Sequence, residues 1–220
     1  MKQWKRLIIA LDMESELRLN KTVRLLGRKI DKFKIGSVAF TRWGPRVVKK
    51  ICRQGKEVFL DLKFYDIPHT MIKASFAAAD LGVWSFTVHL SAGREALEAL
   101  REELESFCRR RKIRRPLIMG VSELTSKKAS LMRVLKLAEV GFLSKIDGIV
   151  CAAPEAKKIK EHFPVLKIVT PGIRTKVSDD QQRIATASFA FSQGADYIVV
   201  GRPITESPNI LKAATELLSR

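Results

Sequence analysis

The chain has 220 residues, with 41 lysines and arginines against 23 aspartates and glutamates, a formal charge of +18. Hydrophobic residues make up 46% and are spread along the whole length, which excludes a disordered basic tail and predicts one α/β domain over 1–220. No run of about 18 apolar residues occurs, and the opening residues are too polar and too short for a signal peptide, so a soluble cytoplasmic protein is expected.

Taken in chain order, short apolar runs rich in β-branched residues alternate with stretches of helical period. The runs fall at 6–11, 33–35, 57–62, 84–89, 117–121, 148–151, 166–170 and 197–200. Amphipathic stretches lie between them, for instance at 15–28, 70–81, 94–109, 128–140 and 180–192. Strands alternating with helices imply a parallel sheet with right-handed crossovers, and eight such pairs are the number that closes a (β/α)8 TIM barrel. An open doubly wound sheet shares this periodicity. Against it, the first strand is followed by Ala10, Leu11, Asp12, Met13 and Glu14 rather than by a glycine-rich dinucleotide turn. Cys52, Cys108 and Cys151 are odd in number and far apart, with no C-x-x-C pair, so they read as reduced, mostly buried thiols and indicate neither a disulfide framework nor a zinc site.

In such a barrel the active site lies at the C-terminal ends of the strands, so the polar residues that close each apolar run are the candidates. They are Asp12, Lys34, Asp61, Lys63 with Asp66 just beyond, His89, Ser122, Thr125, the 171–174 segment ending in Arg174, Gly201 and Arg202. Charged groups at the ends of buried strands are costly to desolvate unless paired, and so many in one ring point to a site. The densest piece is Asp61-Leu62-Lys63-Phe64-Tyr65-Asp66-Ile67-Pro68-His69-Thr70. Side chains alternate along an extended strand, which places Asp61 and Lys63 on one face, with Asp66 in the loop able to approach the same lysine. A lysine flanked by carboxylates is held in its charged form, which suits it to give a proton rather than to form a Schiff base. A buried ion-pair network that merely closes the barrel is the structural alternative.

The chain resembles the orotidine 5′-phosphate decarboxylase family over nearly its whole length. The likeness is carried by Ile9-Ala10-Leu11-Asp12, Lys34-Ile35-Gly36, the 61–70 block, the 81–84 stretch with His89, Leu124-Thr125-Ser126, 170–174 and 200–205. The D-x-K-x-x-D-I-P-x-T pattern is the specific part. Barrels that decarboxylate or condense sugar phosphates, using a divalent metal, share D-x-K-x-x-D without the I-P-x-T continuation and form the alternative. The loop after Arg174 is short, which leaves Gln181 a looser match to the pattern.

The resemblance implies removal of carbon dioxide from C6 of a pyrimidine nucleotide, orotidine 5′-monophosphate, with no metal and no organic cofactor. It gives Lys63 carbanion stabilisation and C6 protonation, Asp61 a place beside the substrate carboxylate, and Lys34 and Asp66 the completion of the charged network. It implies a homodimer with shared sites, Asp66, Ile67 and Thr70 being lent to the other subunit. Asp12 is then expected at the ribose, Thr125 at the pyrimidine, and Gly201 and Arg202, with Arg174 and Gln181, at the 5′-phosphate. The stretch 174–180 is the expected lid.

Outside this set, His89 reads equally as a satisfied histidine orienting the mouth, Ser122 as a supporting residue, and His69 and His162 as surface residues. The charge alone raises a nucleic-acid-binding reading. No helix-turn-helix, RNP or zinc motif accompanies it, and aromatics are 7% and not interleaved with the basic residues, so no specific nucleic acid partner is expected. Six basic residues crowd into 109–115, and this cluster is expected on the barrel face opposite the site as a solvated surface.

Overall fold

The computed structural model describes residues 3–123, 130–174 and 185–219. Its elements are β1 (Leu7–Ala10), α1 (Glu16–Leu26), β2 (Lys32–Gly36), α2 (Ser37–Trp43), α3 (Pro45–Cys52), β3 (Glu57–Phe64), α4 (Pro68–Asp80), β4 (Ser85–His89) and α5 (Arg94–Arg111). They continue as β5 (Leu117–Val121), α6 (Leu131–Leu143), β6 (Gly148–Val150), α7 (Ala153–His162), β7 (Lys167–Thr170), α8 (Ala187–Ser192), β8 (Tyr197–Val200), α9 (Arg202–Thr205) and α10 (Ile210–Ser219). The strands pair in parallel in sequence order, and β1 also pairs with β8, through Ile9 opposite Val200, which closes the barrel. The open-sheet alternative is thereby excluded.

Two apolar layers follow from the alternation of side chains along each strand. Ile8, Phe59, Trp84, Met119, Val169 and Val199 fill the barrel interior. Ile9, Phe33, Ile35, Leu60, Phe86 and Val88 point outward into the layer beneath the helices. The helices answer with stripes of matching period: α1 buries Leu19, Thr22, Val23 and Leu26, and α5 buries Leu97, Leu100, Leu104 and Cys108. At the floor of the barrel Lys32 pairs with Glu57 at 2.6 Å and stands 5.1 Å from the Trp84 ring and 5.5 Å from the Tyr197 ring, closing that end with a satisfied charge.

Boundaries shift by a few residues from the sequence reading. The first strand is Leu7–Ala10 rather than 6–11, because the chain before it turns in a short 3-10 helix over Trp4–Arg6. The sixth helix begins at Leu131, where Ser130 caps it by accepting the Arg133 N–H, and 128 and 129 lie outside the described residues. Of the stretch 180–192, Ala187–Ser192 is helical, capped by Thr186, and 180–184 lie outside the described residues. Among the described residues no helix is long and apolar enough to cross a membrane.

Candidate active site

Four charged side chains from the first three strands form a line of alternating sign at the C-terminal mouth. Asp12, two residues past β1, receives the Lys34 ammonium on both oxygens, at 3.0 and 2.9 Å. On its other side Lys34 is 3.6 Å from Asp61 Oδ2, and Lys63 donates to Asp61 Oδ1 at 2.8 Å. The central pair is the most enclosed, with the Lys34 and Asp61 side chains 11% and 13% exposed against 43% for Asp12 and 33% for Lys63. Charges this enclosed stand because each faces its opposite. Gly36 keeps the space open: a side-chain carbon there would lie 2.7 Å from Lys34 Nζ and 2.8 Å from Asp12 Oδ1.

Asp61 and Lys63 do meet, but regular alternation is not what brings them together. Leu60 pairs with Phe86 and Phe64 with Val88, so four steps along β3 are matched by two along β4. The surplus forms a bulge in which Lys63 adopts φ +53°, a left-handed conformation that costs a non-glycine residue on the order of 1 kcal/mol. Thr87 of β4 sits opposite the bulge. Its hydroxyl accepts the Lys63 backbone N–H at 2.8 Å and donates to Asp61 Oδ1 at 3.1 Å.

The loop residues stand apart from this line. Asp66 is exposed and accepts the N–H of Ile67 at 2.7 Å, and within the chain no ion pair joins it to Lys63. Ile67 and Tyr65 are 65% and 63% exposed, and Thr70 in the first turn of α4 is exposed as well. Of these groups Tyr65 packs toward the His89 ring, while Asp66, Ile67 and Thr70 are turned to the surface.

A cavity of about 780 Å³ opens beside the line, with Asp12 and Lys34 on one wall and Arg174, Gly201 and Arg202 on the other. Asp61 and Lys63 connect to it through Lys34. Arg174 is fixed at its backbone, its N–H donating to Ala185 at 2.9 Å, beside a bridge between Ile173 and Ala185. Gly201 follows β8 and Arg202 opens α9. Thr125, Gln181 and the rest of the expected lid beyond Arg174 lie outside the described residues. His89 ends β4 with its ring 5.4 Å from that of Tyr65, and the buried Ser122 donates to the Val150 carbonyl at 3.3 Å, a bond within the barrel wall. His69 and His162 are exposed, as expected.

Two residues of the site are absent from the sequence reading. Arg18, three residues after the α1 cap Ser15, reaches the cavity and donates to the Thr205 carbonyl at 3.3 Å; its place in the first turn of a helix that opens at the mouth was the available signal. Thr87 shares the inward parity of His89, two residues on, and that parity was its only trace. Among the described residues no group of three or more His, Cys, Asp or Glu side chains is placed to hold a metal ion. The basic cluster at 109–115 spans the end of α5 and the turn before β5, at the opposite face, and is partly paired: Arg111 and Arg115 face Asp80 and Asp147 at 3.1 and 2.7 Å, while the exposed Arg109 and Arg114 stand 3.5 and 3.8 Å from Glu105 and Glu57, acids that also pair with Arg101 and Lys32.

Fold and site together define a (β/α)8 barrel whose charged groups gather where the strands end, beside a cavity bordered by arginines and by the Asp12 and Lys34 end of the alternating carboxylate–ammonium line. The chain belongs to the orotidine 5′-phosphate decarboxylase / HUMPS family, whose model matches residues 5–217. Orotidine 5′-phosphate decarboxylase of Vibrio cholerae is 40% identical, over 92% of each chain, and that of Coxiella burnetii 38%, over 94% of this chain and 93% of its own. Among solved structures, orotidine 5′-phosphate decarboxylase from Lactobacillus acidophilus superposes with a TM-score of 0.84 at 32% identity, covering 98% of both chains. A conserved protein from Geobacillus kaustophilus reaches 0.83 at 29% identity, over 97% of this chain and 98% of its own.

Proposed function

We propose that the protein converts orotidine 5′-monophosphate to uridine 5′-monophosphate, the decarboxylation that completes pyrimidine nucleotide synthesis, using neither metal nor organic cofactor. The observation that carries this reading is the Asp12–Lys34–Asp61–Lys63 line at the barrel mouth of a chain from this family. The C6–carboxylate bond breaks and leaves its electron pair on C6. Carbon dioxide departs, and a proton from the Lys63 ammonium closes the valence at C6. Without an electron sink, the developing carbanion is stabilised by a fixed positive charge, and Lys63 held by Asp61 supplies one already oriented. Asp61 lies beside the substrate carboxylate, where repulsion between like charges is relieved as carbon dioxide leaves. Lys34 separates the two aspartates and holds the line in register.

The far wall of the cavity receives the 5′-phosphate. Arg202 and Arg174 supply charge-assisted hydrogen bonds, Gly201 brings its backbone close, and Gln181 completes the set. Asp12 accepts the ribose hydroxyls and Thr125 contacts the pyrimidine. Phosphate binding far from C6 can be spent on closing the mouth over the ring, so it raises turnover as well as affinity. Asp66, Ile67 and Thr70 serve the neighbouring site of a two-fold dimer, a role their exposure supports. A soluble enzyme acting on a nucleotide fits the cytoplasm.

The test is direct. Metal-stripped protein is mixed with orotidine 5′-monophosphate and the loss of substrate absorbance is followed. Turnover is expected, and its absence overturns the reading. Chelator-sensitive activity on a pentulose or hexulose phosphate would instead place the chain with the sugar-phosphate members of the barrel class.

A further inference from the structure

We propose that Thr87 is a positioning residue for the reaction, the group that holds Lys63 and Asp61 in their working geometry. The inference rests on the reading of those two side chains as the reacting pair. Thr87 is wholly buried at the middle of β4 and faces the two residues that disturb β3. A hydroxyl has one proton and two lone pairs. The Lys63 amide can only donate, so at 2.8 Å the hydroxyl must accept from it, and its single proton is left for the Asp61 carboxylate at 3.1 Å. Both ends of the reacting pair are thus tied to one side chain: the backbone of the lysine and the carboxylate of the aspartate.

Each tie has a geometric consequence. The Lys63 amide lies in the bulge, where the regular ladder to β4 is interrupted, and the Thr87 hydroxyl takes the place of the missing carbonyl. That bond supports the left-handed turn at φ +53°, the conformation from which Lys63 reaches Asp61. On the carboxylate, Oδ1 receives both Thr87 and Lys63, which turns Oδ2 toward Lys34 at 3.6 Å. Removing the hydroxyl while keeping the shape leaves the amide without its acceptor and the carboxylate free to rotate. Valine does this, because it matches threonine in volume and lacks the oxygen.

The experiment compares Thr87→Val and Thr87→Ser with the parent in steady-state decarboxylation, thermal melting and crystal structures. For Thr87→Val, kcat is expected to fall about 10- to 100-fold, as misplacement of a reacting group by an ångström does, while KM and the affinity for uridine 5′-monophosphate change less than about threefold. Thr87→Ser keeps the hydroxyl and should restore most of the lost turnover. In the valine variant's crystal structure Lys63 should leave the left-handed region or separate from Asp61 beyond hydrogen-bond distance. A valine variant that keeps both its kcat and the Lys63–Asp61 geometry overturns the proposal. So does a loss of turnover that tracks only the fraction unfolded, or one that serine fails to repair. If the parent itself does not turn over orotidine 5′-monophosphate, the substrate reading fails, and the crystal comparison alone then decides the role of Thr87.

Discussion

Lys63 Nζ and Asp61 Oδ1 lie 2.8 Å apart across a bulge that sets Lys63 in a left-handed turn. The pair is therefore built by an irregularity in β3 that the fold stabilises, and its two members are not interchangeable. The lysine is the more exposed, at 33% against 13%, and presents the charge that faces outward.

On the proposed mechanism, replacing Lys63 by alanine removes both the positive charge opposite the developing carbanion and the proton donor. Each function contributes roughly two to four orders of magnitude in comparable sites, so turnover should fall on the order of 10⁴-fold or more. Binding of uridine 5′-monophosphate, measured by calorimetry, should persist, because the same proposal assigns the phosphate and ribose contacts to other residues. Retained turnover would remove Lys63 from the chemistry.

Arg202 tests the other end of the cavity. If it holds the phosphate dianion, Arg202→Ala should reduce kcat/KM for orotidine 5′-monophosphate by about 10- to 150-fold, the worth of a charge-assisted bond. The same substitution should leave the far weaker activity on orotidine, which has no phosphate, within about twofold. An equal loss on both substrates would show that Arg202 supports the barrel rim instead.

Much of this was legible in the sequence because it follows from short-range periodicity. Alternation in the strands and the 3.6-residue stripe in α1 and α5 give the barrel, and the polar residues that close the apolar runs give Asp12, Lys34, Asp61 and Lys63. The bulge was not legible, because it depends on how far β4 travels while β3 advances four residues, a property of the pairing and not of either strand. Thr87 was missed for the same reason: in Ser85-Phe86-Thr87-Val88-His89 it reads as one more strand-forming residue, and only its neighbour across the sheet gives its hydroxyl two partners. Asp66 shows the opposite limit. Its motif identifies it, yet within one chain no ion pair joins it to Lys63, and the resemblance assigns it to the other subunit's site.

The basic cluster at 109–115 is not uniform, and stability measurements should separate its members. Arg115 donates two hydrogen bonds to Asp147, at 2.8 and 2.7 Å, and the same carboxylate accepts the Ile118 N–H at 2.8 Å at the start of β5. The bonds to Asp147 raise the Arg115 pKa despite the burial that opposes them, so the guanidinium keeps its charge. Arg115→Ala leaves a largely buried carboxylate short of two donors and should cost about 1–3 kcal/mol in urea unfolding. Arg110 is exposed and bonds to Ser106 one turn away, so Arg110→Ala should stay within about 0.5 kcal/mol. Equal costs for both would contradict the assignment of Arg115 as a clasp between β5 and the turn before β6.

The three cysteines supply a test of the packing that is independent of catalysis. Burial pushes the Cys151 thiol well above its ordinary value, with the nearby Glu155 charge adding to the effect, and desolvation likewise raises Cys108 and the half-buried Cys52. Thiolate is the reactive form, so in the native protein at neutral pH iodoacetamide should modify Cys52 slowly and leave Cys108 and Cys151 untouched, while all three react in denaturant. The pH dependence has a definite sign. The folded state holds the Cys151 proton more tightly than the unfolded chain, so the associated stability is fully present below the ordinary thiol range and is lost as pH rises from there through the raised value of the folded state. Urea midpoints should accordingly drop between neutral and strongly alkaline pH, and Cys151→Ala should flatten that drop even though it lowers the midpoint at neutral pH by opening a small cavity. A slope unchanged by Cys151→Ala, or rapid labelling of Cys151 in the folded protein, would show that the layer beneath α7 is open to solvent.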